Sequence, residues 1–122
     1  MQLDPSDDDP LKLYLREVAN IQPLSGGQTT ELFRQIWARD QRAELASRTL
    51  VEANLYLVVE IAERFVSSGP LPLDLVEAGN AGLLRAVESF RPDSAVSFSA
   101  HAAALIESAI SKCMFDSQPA AE

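Results

Sequence analysis

Apolar residues recur every three or four positions along most of this chain, which is the spacing of amphipathic helices. The first such stripe begins directly after Asp9 and Pro10. An Asp side chain can cap free backbone amides, and Pro is tolerated at the first helical position. The pattern therefore predicts a helix from Pro10 to about Asn20, with an inward stripe of Leu11, Tyr14, Leu15 and Val18.

The same spacing predicts five further helices. Ser25 and Gln28 form a capping-box pattern at the start of the second helix, which is expected to end near Asp40. Its apolar residues are Leu32, Phe33, Ile36 and Trp37, and Trp37 is expected in the core beside Phe33. The third helix is predicted at about 41–53, with the inward residues Ala43, Ala46, Leu50 and Ala53, and the fourth at 55–66, with Leu55, Val58, Val59, Ala62, Phe65 and Val66. The fifth is predicted at about 72–89, with the inward residues Leu73, Val76, Leu83, Val87 and the adjacent Phe90. The last helix is capped by Ser97 or Ser99, and its inward residues are Ala102, Leu105, Ile106, Ala109 and Ile110.

Short polar segments separate these helices. Pro23 lies in a connector at 21–24, Gly69 and Pro70 end the fourth helix at 67–70, and a loop occupies 91–94. No stretch alternates cleanly between apolar and polar residues, so strands are not expected. The sequence predicts an all-α fold, a compact bundle of about six helices.

The chain length of 122 residues is enough for one domain. We expect a flexible acidic tail at 1–9, a single helical domain at 10–112 and a frayed C-terminal tail at 113–122. Gly79 and Gly82 fall inside the fifth predicted helix, where each costs about 1 kcal/mol relative to Ala. This cost suggests close helix packing at both positions.

The formal net charge of −8 narrows the choice of partners. Proteins that grip duplex DNA usually carry a basic stripe, because much of their affinity comes from neutralising phosphates. An acidic chain is also repelled by an anionic membrane leaflet. A protein partner with a basic surface fits this charge best.

The residue types that most often bind metals or take part in catalysis are scarce in this chain. Cys113 is the only cysteine and His101 the only histidine, so a structural zinc site is not expected, nor any other metal or cofactor. A lone cysteine also suggests a reducing compartment. The acidic N-terminus does not resemble a signal peptide, and a cytoplasmic location is expected. No catalytic constellation is found, so the chain is not expected to be an enzyme.

Three stretches resemble one protein family. Residues 9–18 read DPLKLYLREV, similar to the D-P-x-x-x-Y-L-R-E-I opening of the sigma-70 transcription initiation factors. Residues 51–65, VEANLYLVVEIAERF, resemble that family's V-E-A-N-L-R-L-V-x-x-I-A-K-x-Y helix. Residues 73–90, LDLVEAGNAGLLRAVESF, resemble its L-D-L-I-Q-E-G-N-x-G-L-M-R-A-V-E-K-F helix. Order and spacing also agree. The resemblance covers about 9–110 and implies region 2, the central helical domain, with the preceding region 1.2.

The resemblance implies a docking site for RNA polymerase. In the family, the helix matching 73–90 binds a coiled coil of the largest polymerase subunit, which makes Asp74, Glu77, Asn80 and Leu84 the candidate polymerase-binding residues. Acceptors spaced along one side of a helix suit Arg or Lys on a partner. Glu77 replaces an amide and Ala78 a carboxylate of the family pattern, so the acidic pattern is shifted by one position. Ordinary solvated surface acids remain the alternative reading of Asp74 and Glu77.

The segment that melts promoter DNA in the family is altered here. Its aromatic residues stack on unpaired bases and its cations bind phosphates. The matching positions in this chain are Val96, His101, Ala104, Leu105 and Glu107, and Lys112 is the only cation between 96 and 122. We therefore expect weak or no DNA binding by the chain alone.

These observations favour a sigma-like interaction module that docks on RNA polymerase or on an anti-sigma-type regulator. Two alternatives stay open: a genuine sigma factor, as a fragment or as one part of a split factor, and a helical scaffold for an unrelated protein. A homo-oligomer also stays open.

Overall fold

The computed structural model describes residues 9–66 and 71–116. Within these ranges the chain forms six α-helices and no strand, which confirms the predicted all-α bundle. The helices are α1 (Pro10–Asn20), α2 (Gly26–Ala38), α3 (Ala43–Ala53), α4 (Leu55–Arg64), α5 (Leu73–Ser89) and α6 (Phe98–Asp116).

Capping residues begin the first two helices, as their local sequence predicts. The Asp9 carboxylate accepts a hydrogen bond from the Leu11 amide at 3.0 Å. At α2, the Ser25 side chain accepts from the Gln28 amide and the Gln28 side chain accepts from the Ser25 amide, a complete capping box. These bonds satisfy amides that the first helical turn leaves unpaired, so each helix begins where its cap lies.

Asn54 separates α3 from α4. Its backbone leaves the helical range, with φ −113° and ψ 8°, while its side-chain Nδ2 donates to the Leu50 carbonyl at 2.8 Å. The side chain is 8% exposed. The two helices thus meet at a tight junction that one buried amide stabilises.

The fold is centred on α5 and α6, which pack against each other more extensively than any other pair of described helices. Close approach requires the two glycines of α5. A Cβ at Gly82 would lie 2.7 Å from the Leu105 carbonyl oxygen, and one at Gly79 would lie 2.6 Å from Val58 Cγ1. The close packing expected at both glycines is therefore present.

Three aromatic rings join α2 to the ends of α5 and α6. The centroids of Phe33, Phe90 and Phe98 lie 4.8–5.4 Å apart in tilted and edge-on arrangements, which are favourable ring geometries. All three side chains are buried. We call this group the aromatic cluster.

Trp37 was expected in the core, and this prediction is wrong. The side chain is 42% exposed and lies at the rim of the aromatic cluster. Its indole Nε1 donates to the Phe90 carbonyl at 3.2 Å, and the Arg91 guanidinium lies 5.5 Å from the ring centroid. Phe90 occupies the C-cap of α5, so the indole is held at the surface by a polar bond to that helix end.

Other predicted inward residues also lie elsewhere. Leu73 is 52% exposed because it is the first residue of α5, and the buried face of that helix begins with Leu75 and Val76. Leu105 and Ala109 are half-buried. Ile61 is fully buried although it was not in the predicted set.

Helix ends differ from the predicted ones at several places, among them the start of α3, which is Ala43 rather than residue 41. Helix α4 ends at Arg64 rather than Val66, and α6 continues to Asp116, so residues 113–116 are helical. The predicted N-terminal tail up to residue 8, the helix-ending segment 67–70 and the last residues 117–122 lie outside the described residues. Among the described helices, none has the length and apolar character needed to cross a membrane.

Candidate docking face

Helix α5 presents one exposed row of side chains to the surface. Its members are spaced alternately by three and four residues: Asp74, Glu77, Ala81, Leu84 and Glu88. This is the spacing at which one helix meets another along a continuous seam. The row includes three of the four predicted polymerase-binding residues, and we define Asp74, Glu77 and Leu84 as the docking face.

Leu84 provides an apolar contact between acidic neighbours. It is 45% exposed, so its side chain is available to a partner. Across from it, α3 contributes the other side of a surface groove of about 590 Å³, lined by Glu44, Ser47, Arg48, Val51 and Glu52. The Leu84 end of the docking face is therefore bordered by a second helix. Sequence reasoning did not identify these α3 residues, although their helical spacing places them on one side of α3.

Asn80, the fourth predicted residue, lies apart from the docking face. Its Nδ2 donates to the Tyr14 hydroxyl at 3.1 Å, joining α5 to α1. Its Oδ1 is buried, and no hydrogen bond to it is found among the described residues. Asn80 thus serves as a link between helices in this structure, whereas Asp74 and Glu77 are open to a partner.

The five positions that the family resemblance matches to a DNA-melting segment do not form one site. Val96 lies exposed in the loop before α6, and Ala104 is exposed on α6. His101 Nε2 lies 2.9 Å from Ser89 Oγ, and the imidazole lies 5.6 Å from the Phe90 ring. Leu105 is half-buried against the core. The imidazole and Leu105 are thus occupied by contacts within the bundle.

Glu107 forms an ion pair with Arg64. The carboxylate lies 3.6 Å from the guanidinium, and both side chains are at least half exposed. Arg64 is the only cation in α4. An exposed ion pair of this kind contributes little to the stability of the fold. It does place the negative charge of Glu107 next to the Arg64 guanidinium, which could otherwise bind a phosphate.

Charge-assisted hydrogen bonds join neighbouring side chains on the surface of α2. Arg34 donates two hydrogen bonds to the Glu31 carboxylate, at 2.7 and 2.9 Å, and Gln35 adds a third. Because these bonds stabilise the ionised form, the pKa of Glu31 is lowered to about 2. This cluster is on α2, outside the docking face. The part of the chain that the structure describes contains no group of three or more His, Cys, Asp or Glu side chains arranged to hold a metal ion.

Comparison with known proteins defines the class. Residues 50–113, just over half of the chain, match the Sigma-70 region 2 family. The chain therefore belongs to the sigma-70 region 2 family, as its motifs and helical architecture indicate. The second and third of the three sequence stretches lie within the matched residues, which confirms the resemblance.

Two relatives give the family context. The chain is 42% identical over 108 residues to the RNA polymerase sigma factor SigA of Bacillus sp, covering 88% of this chain and 28% of the relative. It is 39% identical over 109 residues to RNA polymerase sigma factor SigA of Lactococcus lactis subsp. cremoris, covering 89% of this chain and 30% of the relative. The chain thus spans less than a third of the length of either relative.

Proposed function

We propose that this chain is a sigma-70-like interaction module that docks on RNA polymerase and lacks the residues needed to melt a promoter. The observation that supports the proposal is the exposed row on α5, with acidic residues on both sides of Leu84. The proposed partner is the coiled coil of the largest polymerase subunit. A non-enzymatic role and a cytoplasmic location are part of the proposal.

The chemistry of the docking face suits a basic helical partner. The carboxylates of Asp74 and Glu77 can accept charge-assisted hydrogen bonds from Arg or Lys side chains. Leu84 can pack between two side chains of the partner helix, in the way that seam residues of coiled coils do. Asn80 then contributes indirectly, by holding α1 against α5 through Tyr14.

The proposed loss of promoter melting rests on side-chain chemistry. Stacking of unpaired bases requires exposed aromatic rings, but Ala104 and half-buried Leu105 stand at two of the altered positions. Glu107 adds a negative charge to α6 beside Arg64. A chain with net charge −8 also repels the phosphate backbone.

Reversing one charge on the docking face tests the proposal. We expect Asp74→Arg to weaken binding to the purified coiled coil of the polymerase largest subunit by about 2 kcal/mol or more, because an interfacial carboxylate is replaced by a cation. Isothermal titration calorimetry measures the change. The matched control is Glu60→Arg, which makes the same charge change at an exposed position of α4.

Both variants are expected to keep the circular dichroism spectrum of the wild type, since both positions are exposed. Asp74 lies in the first turn of α5, where a carboxylate interacts favourably with the helix dipole, so Asp74→Arg is expected to lower Tm slightly while Glu60→Arg leaves it unchanged. Equal affinity of Asp74→Arg and wild type would rule out the docking face. Equal weakening by both variants would show that overall charge, and not this face, controls binding. If the wild type does not bind the coiled coil at all, the scaffold for an unrelated protein becomes the better proposal.

A second candidate function is favoured by the relatives, which are RNA polymerase sigma factors. On this reading the chain is a sigma factor fragment, or one part of a split factor, and promoter recognition lies in another polypeptide segment. Transcription assays with core polymerase distinguish the two. Promoter-specific initiation supports the sigma factor, whereas competition with a sigma factor for core polymerase supports the interaction module.

An anti-sigma-type regulator is the other proposed partner for the docking face. It would use the same acidic and apolar residues, so Asp74→Arg is expected to weaken its binding as well. Competition between such a regulator and the coiled coil for one chain would show that both partners share the face.

A further inference from the structure

The turn between α2 and α3 carries arginines, in contrast to the acidic docking face. Arg34 lies on α2, Arg39 and Arg42 lie in the turn itself, and Leu45 follows in the first turn of α3. All of these side chains are exposed, Leu45 by 63%. We call these residues the turn patch. None of them lines the groove beside Leu84 at the docking face.

The backbone of Arg39 is held in the left-handed conformation. Its φ is 56° and its ψ is 31°, and no other non-glycine residue in the described part of the chain has a positive φ. This conformation is unfavourable for a residue with a side chain, so glycine is the usual residue at such a helix end. An unfavourable backbone conformation that persists points to a role for the side chain that it presents.

Asp40 fixes the shape of the turn. Its carboxylate accepts hydrogen bonds from the Arg42 amide at 2.8 Å and from Arg42 Nη2 at 3.1 Å, and its carbonyl accepts from the Ala43 amide at 3.0 Å. A guanidinium has five N–H donors, so this contact leaves most of the Arg42 donors available. A surface that is already held in one conformation loses little conformational entropy when a partner docks on it.

The charges around the turn patch determine which partner fits it. Glu31 and Asp40 are paired with Arg34 and Arg42, whereas the Arg39 guanidinium has no ion pair or hydrogen bond with any described residue. At physiological ionic strength, charges more than about 8 Å away are largely screened. The unpaired guanidinium at the surface, rather than the net charge of −8, therefore controls binding at the patch.

We propose that the turn patch docks an acidic segment of a protein partner. Its carboxylates bind the Arg39 and Arg42 guanidiniums, which suit carboxylates because they can donate two parallel hydrogen bonds. An apolar side chain of the segment packs on Leu45, which lies beside Arg42 at helical spacing. The carboxylates of Glu31 and Asp40 between the arginines disfavour the phosphate backbone of a nucleic acid. The turn patch is a second interaction surface, and it does not depend on polymerase docking.

A pair of synthetic peptides tests the chemistry of the partner. The peptide EELLEE carries both carboxylates and apolar side chains, and EEGGEE keeps the charge without the apolar side chains. In ¹H–¹⁵N NMR titrations of the full chain at physiological salt, we expect EELLEE to shift the backbone amides of Arg39, Arg42 and Leu45 with a Kd of about 1 mM or tighter. We expect EEGGEE to bind at least about fivefold more weakly, because it cannot cover Leu45.

Arginine variants separate the turn patch from overall charge. Arg39→Gln is expected to weaken EELLEE binding at least about threefold. Arg85→Gln removes the same charge from an exposed position of α5 and is expected to leave binding unchanged. Arg39→Gly is expected to weaken binding as well, yet to raise Tm by roughly 3–6 °C, because glycine adopts the left-handed backbone without strain. A gain in stability together with a loss of affinity distinguishes a binding role for Arg39 from a structural one.

Several outcomes would overturn the proposal: no saturable shift at the turn patch with EELLEE, equal affinity for both peptides, equal binding by Arg39→Gln and Arg85→Gln, or a Tm of Arg39→Gly no higher than that of the wild type. The oligonucleotide hexathymidylate is titrated in parallel. If it shifts the same amides at lower concentration than EELLEE, the turn patch is a nucleic-acid site and the assignment to a protein partner is wrong.

Discussion

Gly82 sets the distance between the two central helices. Because Gly82 has no side chain, the Leu105 carbonyl oxygen can approach closely: a Cβ at Gly82 would lie 2.7 Å from that oxygen. Gly79 is also crowded, but there the nearest atom belongs to the Val58 side chain. Backbone yields less readily than a side-chain end, so Gly82 is the more restrictive of the two.

We expect Gly82→Ala to lower the free energy of unfolding by about 1–3 kcal/mol, the usual cost of overpacking, even though Ala is the better helix former. Gly79→Ala is expected to cost less. Gly27→Ala serves as the control, because a Cβ fits there without contact shorter than 4.0 Å, and its stability is expected to be equal or higher. Urea unfolding measures all three variants. Wild-type stability in Gly82→Ala would mean that α5 and α6 can separate without cost.

Local chemistry explains which residues were predictable. The side chains of Asp9 and Ser25 accept hydrogen bonds from backbone amides two and three positions away, so the local sequence alone defines these caps. Trp37 lies at the edge of its apolar stripe, and its exposure depends on the Phe90 carbonyl, 53 positions along the chain. Asn80 likewise turns to Tyr14 of another helix. Helical spacing predicts which side of a helix is apolar, but it does not predict which residues of other helices contact the edges of that side.

At the level of elements, α1 is the helix least embedded in the core. Val18 is its buried residue, whereas α5 buries seven. The Tyr14–Asn80 hydrogen bond adds a polar contact between α1 and the centre of α5. Segments with few buried apolar contacts open most readily, so α1 is expected to open before the α5–α6 pair.

Removing one hydroxyl tests this contact. We expect Tyr14→Phe to weaken the attachment of α1 by about 1 kcal/mol, which raises the hydrogen-exchange rate of α1 amides roughly fivefold. Amides of α6 are expected to be unaffected. Exchange measured by mass spectrometry gives both rates. Tyr56→Phe, the same change at the chain's other tyrosine, which has no hydrogen bond to a described residue, is expected to leave α1 unchanged. The same α1 rates in all three chains would show that the contact contributes nothing.

The element pattern was predicted well and the sites less well. Six helices follow from apolar spacing because each depends mainly on its own residues. The residues of the proposed docking face, Asp74, Glu77 and Leu84, lie on one helix, so the sequence could place them on a common side of it. A surface cavity of about 510 Å³ was not predicted, since it is built where residues 23–30 meet residues 53–56 and 90–99. The spacing of apolar residues within one segment does not predict which distant segments of the chain will contact one another.

For the whole molecule, charge is expected to decide the response to DNA. At physiological salt we expect no measurable binding to a −10 non-template oligonucleotide in fluorescence anisotropy, because the net charge is −8 and Glu107 neutralises Arg64. Micromolar binding that depends on base sequence would contradict this. The variant Ala104→Trp, Leu105→Trp, Glu107→Arg is expected to gain detectable binding, since it restores stacking surface and a cation.

The structure refines that variant. Leu105 is half-buried and its carbonyl contacts the Gly82 region, so a Trp there threatens the packing of α5 on α6. The double variant Ala104→Trp, Glu107→Arg changes only exposed positions, so it leaves the packing of α5 on α6 intact and is tested beside the triple variant. No binding by either variant, with both shown to be folded, would mean that the loss involves more than these side chains.

The aromatic cluster has a consequence for the chain as it is made. Phe33 packs on Phe90 and Phe98, which are synthesised 57 and 65 positions later. At a typical 5–20 residues per second, the ring of Phe33 lacks one or both of these partners for roughly 3–13 seconds on the ribosome. Helix α6 then closes onto α5 across a short loop, at little entropic cost. The N-terminal half of this domain therefore depends on its C-terminal half to become native during translation.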